Sequence, residues 1–98
     1  VSTQRVARKV QDLQRRISDA REACRVLDEQ LSVWSEAYDD ARLRSLMAET
    51  PQSDHDLADV KRHYDVARRE RERREDEIAR MVLERDRLLR EWTPKEVS

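Results

Sequence analysis

Apolar or small residues recur along the first half of the chain at Val6, Val10, Leu13, Ile17, Ala20, Cys24, Leu27, Leu31, Trp34, Tyr38 and Ala41, in alternating steps of four and three without a miss. Eleven consecutive core positions of a heptad repeat predict a coiled-coil helix, because that spacing holds one stripe against a partner helix. The helix is predicted to run from about residue 3 to about residue 49, roughly 70 Å at ~1.5 Å per residue. The pattern stops at ETPQSDHD, where Pro51 cannot continue a helix and biases Thr50 away from helical angles.

The alternation resumes at Leu57, Val60, Tyr64, Ala67, Arg71, Arg74, Ile78, Met81, Arg85, Leu88 and Trp92. Ser53 is the expected N-cap, with Asp54 and Asp56 in the first turn, where carboxylates favour a helix N-terminus. Thr50 as N-cap with Pro51 at the first helical position is the competing boundary. The predicted organisation over residues 1–98 is therefore a single all-α hairpin. It has helix 1 at about 3–49, a turn at about 50–53, helix 2 at about 54–92 and a tail at 93–98. Two helices of similar length joined by so short a break fold back antiparallel.

One segment resists this scheme. RRERERREDE, from Arg68 to Glu77, is ten charged residues in a row, and it places Arg71 and Arg74 on the seam opposite Leu27, Leu31 and Trp34. In one reading the arginine stems cover the leucines while their heads pair with Asp28 or Glu36. Arg71 or Arg74 then stacks on Trp34, worth roughly 0.5–2 kcal/mol. In the other, a second copy of the chain covers the middle of helix 1, where Val26, Val33 and Ala37 widen the apolar face beyond a two-helix seam. Paired hairpins would then form a four-helix bundle as a homodimer. The protein-interaction candidates are Val26, Leu27, Leu31, Val33, Trp34 and Ala37.

Composition narrows the function classes. The chain of 98 residues has no glycine, which removes phosphate-cradling loops and tight positive-φ turns, and 44% of it is charged. Arginine outnumbers lysine 18 to 3, a bias expected of a GC-rich bacterial genome. No apolar run is long enough for a membrane span and no signal-peptide pattern appears. A single cysteine gives no disulfide framework, so a cytoplasmic location is expected.

Candidate chemistry is sparse. His55, Asp59 and His63 are spaced four apart, but eight residues span about 12 Å, too far for one ion, and their heptad positions point outward. Cys24 lies on the seam as a small core residue. No nucleophile, base and pocket come together, so neither an enzyme nor a cofactor is expected. Arginines at 5, 8, 15, 16, 21 and 25 could meet phosphates, but acidic residues interleave with them and the pI is about 6.2.

Charge distribution says more. Residues 5–25 carry seven basic and three acidic residues, residues 26–59 two and nine, and residues 60–98 twelve and ten. Folding the hairpin gathers negative charge at its tip, in Asp39, Asp40, Glu49, Asp54, Asp56 and Asp59. The last three suit a helix N-terminus, whereas Asp39, Asp40 and Glu49 lie near the unfavourable C-terminal end of helix 1. A stiff hairpin with an acidic tip resembles, in architecture alone, bacterial transcription factors of the Gre type, which insert such a tip into RNA polymerase. The sequence thus predicts a bacterial protein-interaction module, an adaptor, assembly factor or regulator. A transcription-machinery regulator acting through the acidic tip is the alternative, and a nucleic-acid-binding helical protein comes third.

Overall fold

The computed structural model describes residues 3–92, in which two long helices, α1 (Thr3–Ala48) and α2 (Pro51–Trp92), pack against each other as an antiparallel hairpin. No strand occurs among the described residues. The predicted tail at 93–98 lies outside them.

Two residues reverse the chain. Glu49 ends α1 with φ at 51° and donates its backbone N–H to the Ser45 carbonyl at 3.0 Å. Helices commonly close with a left-handed residue, usually glycine, and this chain has none to place there. Thr50 then caps α2. Its Oγ1 accepts the Ser53 N–H at 3.1 Å, and Ser53 Oγ accepts the Thr50 N–H at 3.2 Å. This is the reciprocal geometry of a capping box, with serine in place of glutamate or glutamine. Pro51 follows at the first helical position, where its missing N–H would have had no intrahelical partner anyway.

The predicted start of helix 2 near residue 54 is thereby corrected to Pro51, and the turn shortens to Glu49 and Thr50. Ser53 contributes to the cap, but from inside the first turn. Helix 1 ends one residue before its predicted limit.

The hairpin divides into two compact units, one formed by the segment up to Ala23 with that from Arg74 onward, the other by Cys24–Arg73. The first unit holds a continuous apolar core of Leu13, Ile17, Ala20, Met81 and Leu88, flanked by Val6, Val10, Ile78 and Val82. Leu13 shares this cluster with Leu88, as the antiparallel register requires. Arg85 occupies a seam position here without a buried charge. Its stem is largely covered while Nη1 donates to Gln14 on α1 at 2.5 Å and Nε donates to Asp86 at 3.1 Å.

The second unit is packed differently. Only Cys24, Ala41 and Ala67 are buried in it, and all three are small. The larger seam residues Leu27, Leu31, Trp34, Tyr38, Leu57, Val60 and Tyr64 are half-buried. Cross-helix contacts there include polar and aromatic pairs. Asp28 pairs with Arg71, Trp34 stacks on His63, Tyr38 stacks on Tyr64 at 6.2 Å, and Ser45 Oγ donates to Asp54 at 2.5 Å.

Candidate interaction surfaces

The charged belt meets α1 through a cross-helix ion pair in the second unit. Arg71 lies flat along Asp28, with Nε donating to Oδ1 and Nη2 to Oδ2 at 3.3 Å. This two-pronged contact is the strongest geometry an arginine makes with a carboxylate. The neighbouring charges are absorbed along α2 itself, Arg73 by Glu70 at 3.1 Å and Arg68 by Asp65 at 3.9 Å. Exposed pairs of this spacing sustain helix at about 0.3 kcal/mol each and add little else. Lys61 also hydrogen-bonds Asp65 at 3.0 Å, and that bond, aided by the charges of Lys61, Arg68 and Arg69, holds the carboxyl below its ordinary value despite some desolvation.

The expected stacking of Arg71 or Arg74 on Trp34 is replaced by another partner. The indole lies parallel to the imidazole of His63, with centroids 4.6 Å apart and planes 8° from parallel. His63, read as outward from its heptad position, therefore turns across to α1. Arg71 is engaged about two turns away, by Asp28.

The six apolar candidates separate into two groups. Leu27, Leu31 and Trp34 face the seam and are half-buried there, while Val26 and Val33 point away from it. Val33 keeps 64% of its surface exposed and Ala37 is half-buried. A shallow groove of about 420 Å³ runs beside Val33, bounded by Glu29, Gln30 and Trp34.

The acidic candidates separate as well. Asp54 accepts the Ser45 hydroxyl, Asp56 accepts Gln52 Nε2 at 2.9 Å, and Asp59 pairs with Arg62 and lies 3.9 Å from His63 Nε2. These three carboxylates help build the turn and the first coils of α2. Asp39, Asp40 and Glu49 are exposed, and among the described residues their carboxylates make no hydrogen bond or ion pair.

One feature of this surface escaped the sequence reading. Leu43, Leu46 and Met47 project from the outer face of the last turns of α1, with Leu46 72% and Met47 77% exposed. Spacings of three and four put them in line with Asp39 and Asp40, one turn nearer the N-terminus. Three large apolar residues on one exposed helical face are a signal visible in sequence. They do not continue the four-three alternation, and a search for the seam passes over them.

Among the described residues no group of three or more His, Cys, Asp or Glu is placed to hold a metal ion, and no helix is long and apolar enough to cross a membrane. Cys24 is a buried free thiol. No protein family, curated protein or solved structure matches this chain.

Proposed function

We propose that this hairpin is a non-enzymatic protein-interaction module of a larger bacterial complex, working in the cytoplasm as an adaptor, assembly factor or regulator. The observation that carries the reading is the apolar face of Leu43, Leu46 and Met47 beside the unpaired carboxylates of Asp39 and Asp40. Contiguous apolar surface on an otherwise charged protein marks a place where another macromolecule docks. An acidic border selects a partner whose apolar segment is flanked by lysine or arginine, and suppresses acidic competitors. Self-association belongs to the same proposal, with Val26 and Val33 on the contact face of a homodimer, a coiled-coil bundle of four helices.

The exposed, unpaired carboxylates of Asp39, Asp40 and Glu49 favour a second reading, in which the tip enters the transcription machinery. Nucleic-acid binding has weaker support, because acidic residues interleave with the arginines of the first unit.

The test is affinity capture from lysate, before and after nuclease treatment, with the wild type and with the double variant Leu46→Glu/Met47→Glu. A protein retained by the wild type and lost by the variant, at unchanged helix content, is expected. RNA polymerase in that position supports the second reading. Equal capture by both proteins, or capture of nucleic acid alone before nuclease, overturns the proposal.

A further inference from the structure

We infer that the covering face for Val33 is the outer face of α2 around Val66 in a second copy of this chain. The inference rests on the self-association proposed above and specifies its geometry.

The argument begins with position. Val26 and Val33 each lie two residues beyond a seam residue of α1, namely Cys24 and Leu31. Val66, 54% exposed, lies two beyond the corresponding seam residue of α2, Tyr64. In an antiparallel pair, equivalent heptad positions of both helices fall on the same side. These valines therefore share one face of the hairpin within the second unit.

Level comes next. The pairs Asp28–Arg71 and Trp34–His63 show which residues of α1 and α2 stand side by side. A two-fold axis running parallel to the helices lays one hairpin face on another without changing level, and sets α1 of each copy on α2 of the other. Val33 then meets the partner's Val66, and the groove beside Val33 is closed.

Charge selects this arrangement. Glu29 and Glu36 border the valines on α1, each two residues past the seam residues Leu27 and Trp34. Arg62 and Arg69 hold the same positions on α2, two past Val60 and Ala67. At the levels just set, Glu36 reaches the partner's Arg62 and Glu29 the partner's Arg69. The alternative of pairing α1 with α1 antiparallel sets glutamate against glutamate along the same rim. Opposite charges at a rim fix register and exclude the wrong pairing.

The experiment uses two charge reversals in the full chain, Glu29→Arg/Glu36→Arg and Arg62→Glu/Arg69→Glu, followed by sedimentation at micromolar concentration. Wild type sediments as a dimer, and each reversal alone weakens self-association by about tenfold or more, since like charges then face each other. An equimolar mixture of the two variants forms a heterodimer, because one contact is restored in reversed sense and the other is native. Circular dichroism checks that each variant keeps its helix. A wild type that stays monomeric removes both the self-association and this geometry. A wild-type dimer that is indifferent to the reversals, or variants that do not recover on mixing, overturns the geometry and leaves self-association standing.

Discussion

The indole of Trp34 and the imidazole of His63 lie face to face across the hairpin, 4.6 Å between centroids and 8° from parallel. Trp34 is half-buried and His63 exposed, in a seam thin in large buried residues, so this contact adds to the cross-helix adhesion at its level. Replacing His63 by Ala should cost about 0.5–1.5 kcal/mol, the range for aromatic pairs beyond their area burial. It should also change the emission of Trp34, read in a Trp92→Tyr background so that one indole reports. Unchanged emission and an unchanged melting temperature would show that the rings do not stack in solution.

Glu49 holds a left-handed backbone angle at the end of α1, where a Cβ is unfavourable. Glu49→Gly should raise stability by about 0.5–1 kcal/mol by relieving that cost, in spite of the freedom glycine adds to the unfolded chain. Denaturant unfolding with an unchanged m-value is the measurement. A loss of stability would mean that the carboxylate itself stabilises the turn.

Ile17 and Leu31 hold the same heptad position in different surroundings. Ile17 is 2% exposed in the core of the first unit, while Leu31 is half-buried in the second. Ile17→Ala should cost about 2–5 kcal/mol through lost transfer energy and a cavity. Leu31→Ala should cost roughly half as much or less, because less apolar area leaves water on folding. Thermal melts of the two variants side by side decide it, and equal losses would show that Leu31 is more deeply covered in solution, as a second chain on that face would make it.

The seam was legible almost completely. All eleven α1 positions of the four-three pattern are buried or half-buried, and on α2 only Trp92 is exposed. A periodicity sustained over so many turns leaves a helix one apolar face to hide. The boundary of α2 was less legible, because Thr50 and Ser53 both satisfy the cap preference and their mutual hydrogen bonds make both part of one cap. The partner of Trp34 could not be read from the seam, since His63 lies off the four-three pattern of α2 and Arg71 stands at the level of Asp28 instead. The apolar tip was missed for a different reason: Leu43, Leu46 and Met47 lie off the seam, and nothing within the hairpin demands them. A residue that serves a surface leaves no trace in the periodicity that builds a core.

The placement of the apolar core has a consequence for the order of folding. Ser45 and Asp54, beside the turn, are 9 residues apart, whereas Gln14 and Arg85, beside the core of Leu13, Ile17 and Leu88, are 71 apart. Closing the longer loop from the unfolded chain costs about 2 kcal/mol more in entropy. Contacts beside the turn are thus expected to form before the large apolar core of Leu13, Ile17 and Leu88 closes. A chain built this way is expected to zip from the turn towards its open end.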